Sequence, residues 1–195
     1  MDAPATCVFV ARKTTDPSIL ERIYELRVTS WRARGNATDS SSRWTDAYDL
    51  DAQHWAILAG ERPIAARLTI HAQLCDVPDA YIYGDVLPAL PSPIGSINRC
   101  VVHPEFKNRG LSRILDEVRI TAARQLGAKC VVASVSQERR ARSLETAGFK
   151  FVGSGLPYTH GFLKGIPNLV YLMRFEVASA SIETPGQLPP RGAGI

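Results

Sequence analysis

Cysteine is scarce in this 195-residue chain: Cys7, Cys75, Cys100 and Cys130 are far apart, and no C-x-x-C pair occurs. That argues against a disulfide framework and for buried free thiols. The four histidines are scattered, so zinc-ligand spacing is absent and no metal is expected. No apolar run reaches the ~18 residues of a membrane span. The opening MDAPATCVFVARK lacks the basic start and apolar core of a signal peptide, which predicts a cytoplasmic protein. A net charge of +4 is too small to imply a nucleic-acid partner. Neither G-x-x-x-x-G-K-[ST] nor G-x-G-x-x-G is present, which argues against kinase-like and dinucleotide-binding readings. What remains is an ordinary enzyme-like composition, 45% hydrophobic and 22% charged. The length suits one domain with a core large enough to need no staples.

Apolar periodicity predicts the elements. Residues 5–12 read as a strand. Asp16-Pro17 supplies a cap followed by a first-turn proline, and Ile19, Leu20, Ile23, Leu26 and Trp31 then recur at helical spacing up to about Arg34. Two strands, 53–59 and 63–74, flank the turn GERP. Four prolines make 75–93 irregular, and 95–102 is a strand. Leu111, Ile114, Leu115, Val118, Ala122 and Leu126 mark one helix face, closed by Gly127. KCVVASVS is a buried strand, 138–147 a short helix closed by Gly148, and FKFVG and NLVYLMRFE two further strands. The expected class is therefore α/β (α+β). Residues 1–176 are expected to form a single domain, with 177–195 a disordered tail of small residues, Pro and Gly.

The chemistry-bearing stretch is VVHPEFKNRGLSRIL. A strand ends, a short loop turns, and a helix opens at a glycine. The first helical turn offers unpaired N–H groups and the positive end of the dipole. Gly110 permits close approach, and Lys107, Arg109 and Arg113 add positive charge, which together suit a diphosphate. A second basic cluster, Arg139, Arg140 and Arg142, opens the next helix.

Lys107-Asn108-Arg109-Gly110-Leu111-Ser112 resembles the acyl-CoA motif [QR]-x-x-G-x-[GA] of GNAT acyltransferases. Gly110 matches; Lys107 and Ser112 depart from it. The order of elements from about Asp49 to Met173 is also similar, over roughly two thirds of the chain. The resemblance implies a mixed, mostly antiparallel sheet flanked by helices, with splayed central strands. It implies acetyl-CoA or another acyl-CoA as donor, no metal, and the amine of a small molecule as acceptor. Cys100, Val101 and Val102 would hold the thioester, Lys107 through Ser112 the diphosphate, and Arg139 and Arg140 the 3′-phosphate. A monomer or homodimer is expected.

The usual catalytic groups are missing. Ser96 stands where a strand base is common, and Leu144-Glu145-Thr146-Ala147-Gly148-Phe149 has leucine where the family's Y-E-K-x-G-F run has its tyrosine acid. Tyr158 and His160, between the last two strands, are the expected substitutes for acid and base. A second resemblance is to acyl-homoserine-lactone and N-acyl amino acid synthases. It rests on Asp49, Asp51 and His54, on Arg67, on Arg99 in Ser-Ile-Asn-Arg-Cys, and on Arg27 and Trp31. It implies that Arg27, Trp31, Arg67 and Arg99 face substrate, and that an acyl-carrier protein could be the donor. A thioester-binding domain without turnover is the non-enzymatic alternative.

Overall fold

A computed structural model describes residues 9–34, 40–159 and 164–175. Strand β1 covers Arg12–Thr14 and helix α1 Pro17–Arg32. The Asp16 carboxylate caps α1, accepting from the Ser18 N–H at 2.8 Å, and Pro17 sits in the first turn, where no N–H is needed. Strands β2 (Gln53–Ala59) and β3 (Arg62–His71) form the expected hairpin. The second of these ends at His71 rather than at 74, because the chain turns into a short 3₁₀ segment, Leu74–Asp76. A second 3₁₀ turn, Ala80–Tyr83, leads towards β4 (Ile94–Val101). The proline-rich stretch is irregular as expected, but it buries Val77, Ile82 and Tyr83 against the sheet. Helix α2 (Leu111–Gln125), β5 (Cys130–Val135), α3 (Glu138–Thr146), β6 (Lys150–Gly155) and β7 (Asn168–Arg174) complete the chain.

The strands form one sheet in the order β1-β2-β3-β4-β5-β7-β6, antiparallel except for β4 and β5. Alternation along the strands divides the core. Ile57, Ile64, Ala66, Val131 and Ala133 face Leu111, Leu115 and Leu144 of α2 and α3. Ala56, Ala65 and Val101 face Ile23, Tyr24 and Leu26 of α1 on the other side.

One feature of the sheet positions the site. β4 and β5 pair only through Ile94↔Cys130, Gly95↔Val131 and Ser96↔Val132. Beyond Ser96, β4 stays with β3 while β5 follows β7 up to Val135↔Leu169, so the two central strands diverge. The β3–β4 register slips between Arg67↔Asn98 and Ala65↔Val101, which leaves Arg99 and Cys100 opposite Ala66 alone. Arg99 takes the left-handed conformation (φ 53°) that such a bulge requires. This is the mixed, mostly antiparallel α/β sheet with splayed central strands implied above. Of the first predicted strand, 5–12, residues 5–8 lie outside the described residues, as does the tail 177–195; within 9–12 only Arg12 is in a strand, because pairing with β2 begins there and runs on to Thr14.

Candidate active site

The divergence of β4 and β5 opens a cleft with two connected compartments that share Arg34, Cys100, Gln137 and Arg140. The outer one encloses about 540 Å³ beside the start of α2, within the usual size of a ligand site. Val102, Phe106, Lys107, Asn108, Gly110 and Ser112 line it, with Arg113 and Arg139. Asn108 (φ 68°) and Gly110 (φ 72°) both adopt left-handed backbone, which turns the loop back upon the helix start. No side chain caps α2, so its first-turn N–H groups are left for a ligand. A β-carbon at Gly110 would meet nothing within 4 Å, so the space over it is open. Arg139 reaches across to hydrogen-bond the Asn108 side chain.

Two residues of the expected donor-binding set, Arg109 for the diphosphate and Val101 for the thioester, do not line this compartment. Arg109 is exposed, its guanidinium lying 5.1 Å from the centroid of the Phe106 ring. Val101 is packed in the core against α1. Arg142 of the second basic cluster pairs with Glu138 on the helix surface. Arg140 faces both compartments and is held by the buried carboxylate of Asp116, which also binds Arg119.

The inner compartment lies in the splay itself. Trp31, Trp44, Asn98, Arg99, Ser134, Tyr158 and Asn168 line it with the shared residues. Tyr158 donates to or accepts from the Ser134 hydroxyl at 3.2 Å. Burial pushes the Tyr158 phenol above its ordinary pKa, although the Arg99 charge opposes the shift. The phenol therefore keeps its proton at neutral pH. His160 lies outside the described residues.

Ser96 is fully buried and belongs to the last β4–β5 pair, at the closed end of the splay. Its hydroxyl accepts from Asn98 Nδ2 at 2.9 Å. It is not part of the cleft lining, which sets it apart from the expected strand base.

Beneath the inner compartment runs a chain of ion pairs. Arg27 grips Asp49 with two hydrogen bonds, 2.8 and 2.9 Å. Arg67 bridges Asp49 (3.1 Å) and Asp46 (2.6 Å) and donates from Nε to Asn98 at 2.7 Å. Arg99 joins Asp46 (3.1 Å) to Asp79 (3.0 Å) and stacks on Trp44, 4.5 Å from its centroid. Burial alone would raise the pKa of Asp46 and Asp49; the arginine charges and hydrogen bonds override it and hold both below the usual carboxylate range. The Arg99 guanidinium, with its backbone strain, is thus over-determined by two carboxylates and a ring.

Of the four expected substrate-facing residues, Trp31 and Arg99 line the cleft. Arg27 and Arg67 are buried below it and paired with carboxylates, with Arg27 Nε and Arg67 Nη2 left without a hydrogen-bond partner among the described residues. Asp49 belongs to the network, Asp51 is exposed, and His54 is a buried support whose Nε2 lies 3.1 Å from the Asp49 carbonyl. Sequence reasoning missed Asp46 and Asp79, the carboxylates that hold Arg99. It also missed Arg34, Trp44, Asn98, Ser134 and Asn168 in the lining. Asp46 carried a readable signal, since Asp-Ala-Tyr-Asp forms a capping box at the 3₁₀ turn Ala47–Asp49.

Among the described residues, no group of three or more His, Cys, Asp or Glu side chains could hold a metal ion. No helix among them is long and apolar enough to cross a membrane.

No family model matches the sequence, and no curated protein matches it. Solved structures do. FeeM, an N-acyl amino acid synthase from uncultured soil microbes, aligns with TM-score 0.66 at 15% identity, covering 86% of this chain and 91% of that one. The acyl-homoserine-lactone synthase LasI aligns with TM-score 0.61 at 14% identity, covering 86% and 90%. A Bacillus subtilis acetyltransferase in complex with CoA aligns with TM-score 0.55 at 11% identity, covering 87% and 100%. At these identities the likeness establishes the fold, which is that of the GNAT acyltransferases.

Proposed function

We propose that this chain, as one domain over residues 1–176, is an N-acyltransferase that moves an acyl group from an acyl-CoA thioester onto the amine of a small molecule. The observation that carries the reading is the junction of the two compartments. An uncapped, basic helix start opens directly onto the gap between two diverging strands. The first suits a diphosphate and the second a thioester. In this reading Lys107, Asn108, Gly110 and Ser112 hold the diphosphate, while Arg139 and Arg140 flank the 3′-phosphate. The thioester carbonyl faces β4 backbone at the Arg99–Cys100 bulge, whose N–H groups supply the oxyanion donor.

The neutral amine adds to the carbonyl carbon and gives a tetrahedral oxyanion. Collapse breaks the C–S bond, the thiolate takes a proton from Tyr158, and the new amide nitrogen loses one to a base. Burial keeps the Tyr158 phenol protonated, and Ser134 orients it. His160 is assigned the base role by its position in the sequence alone. Arg27 and Arg67 act indirectly: they fix Asp46 and Asp49, which in turn fix Arg99 at the bulge. Calorimetry with CoA tests the donor half of the proposal. Micromolar binding supports it; absence of binding to CoA and to acyl-CoA rejects it.

A second reading has a specific support. Arg27, Asp49, Arg67 and Arg99, quoted above for the resemblance to acyl-homoserine-lactone and N-acyl amino acid synthases, converge on one network. In that reading the acyl chain is longer and arrives on an acyl-carrier protein, whose acidic surface would meet the basic mouth of the cleft. Comparing transfer rates from acyl-CoA and from acyl-carrier protein separates the two.

A further inference from the structure

Helix α2 carries a charge into the core. Arg119 is fully buried, where an unpaired guanidinium would be costly. All three of its nitrogens donate. Nε donates to the Leu115 carbonyl at 3.0 Å, and Nη2 to the buried carboxylate of Asp116. Nη1 crosses to the sheet and donates to the main-chain carbonyls of Arg67 at 3.2 Å and Asn98 at 3.4 Å. Those two residues are the β3–β4 partners at which the register slips into the bulge. Neutralising Asp116 takes one side of the guanidinium fork. The other side is turned to the backbone that bears the bulge.

Asn98 is thereby held twice. Its Oδ1 accepts from Arg67 Nε at 2.7 Å and its Nδ2 donates to Ser96 at 2.9 Å, while its carbonyl accepts from Arg119 on α2. That carbonyl and the Arg99 N–H belong to one planar trans peptide, so fixing the first aims the second in the opposite direction. A cationic donor on the carbonyl also polarises the peptide and strengthens its N–H as a donor. Arg119 itself lines neither compartment of the cleft.

We infer that Arg119 is a positioning residue for acyl transfer: it holds and polarises the Asn98–Arg99 peptide so that the Arg99 N–H meets the thioester oxygen. This rests on the N-acyltransferase reading, in which the bulge supplies the oxyanion donor, and adds to it a residue that acts through the backbone without touching substrate. Asp116 fixes Arg119 in turn. The same carboxylate accepts from Arg140 at 2.7 Å, so removing Arg119 does not leave it without a cation.

The test follows the carbonyl stretch of acetyl-CoA, isotopically labelled at the thioester carbonyl carbon and bound to the full chain, by infrared difference spectroscopy. Calorimetry with the same ligand gives the affinity. In the parent the band is expected below that of free acetyl-CoA, because a donor on the oxygen weakens the C=O bond. Arg119→Met is expected to lose at least about half of that shift, while acetyl-CoA affinity changes by no more than about twofold. Arg119→Lys brings a point charge that cannot bridge the carboxylate and both carbonyls, and its band is expected between the two; it carries the comparison if Arg119→Met does not fold. A structural role alone would lower the melting temperature and leave the band of the bound thioester where the parent has it. An unshifted band in the parent, a parent-like band in the variants, or affinity lost in step with the shift overturns the inference and leaves the N-acyltransferase reading in place. Absence of acetyl-CoA binding to the parent overturns both.

Discussion

Arg27 and Asp49 meet through two hydrogen bonds, 2.8 and 2.9 Å, with both side chains sealed from solvent. The pair ties α1 to the capping turn before β2, and through Arg67 and Asp46 to the bulge on β4. A buried pair of this kind is costly to break, because the remaining partner is left as a desolvated charge. Arg27→Met should destabilise the protein by about 3–5 kcal/mol, a melting-point loss of roughly 6–20 °C for a chain of this size. Arg27→Met/Asp49→Leu should recover part of that loss. A single variant that melts within a degree or two of the parent would mean that the pair contributes little.

Histidine burial sets a pH dependence of stability. Burial depresses the pKa of His54 and His71 below the ordinary value of about 6.5. A depressed histidine stays neutral in the folded state while the unfolded chain takes up a proton. Its contribution is therefore present above about pH 6.5 and is lost as pH falls below that value towards the folded pKa. The melting temperature should fall between about pH 6.5 and 5, and His54→Gln/His71→Gln should flatten that slope. An unchanged slope in the double variant would assign it to other groups.

Much of this architecture was legible in the chain. Hydrophobic spacing placed α1 and α2, Asp16-Pro17 marked the start of α1, and the glycine after a strand marked the helix start that lines the outer compartment. What was not legible depended on depth and register. Arg27 sits one residue after Leu26, and only its burial beside Asp49 shows that it supports the cleft rather than lining it. The bulge that directs Arg99 and Cys100 arises from a two-against-one register with β3, which no local pattern in Ser-Ile-Asn-Arg-Cys announces. Asn168 is reached only because β7 returns beside β5, far along the chain.

At the phosphate end, Gly110→Asp would set a carboxylate where the diphosphate is proposed to lie. The space over Gly110 is open, so the fold should survive apart from the modest cost of a side chain at positive φ. CoA affinity measured by calorimetry should weaken by at least about tenfold, or ~1.4 kcal/mol. Unchanged affinity in the folded variant would remove the diphosphate from this loop.

Arg139 allows a cleaner test of the 3′-phosphate than Arg140, because Arg140 also satisfies the buried Asp116. Arg139→Gln should weaken CoA several-fold more than 3′-dephospho-CoA. Equal loss for the two ligands would make Arg139 part of the general positive field at the mouth.

The central claim is that the splay between β4 and β5 carries out acyl transfer, with Tyr158 protonating the departing thiolate. The direct measurement is release of free thiol from acyl-CoA, followed with and without an amine acceptor, in the parent and in Tyr158→Phe. The account predicts release that requires the acceptor and is stoichiometric with N-acyl product. It also predicts a turnover rate lowered by about 10²-fold in Tyr158→Phe, at unchanged donor affinity. Acyl-CoA bound tightly with no thiol released on addition of any amine would contradict it and leave a thioester-binding domain.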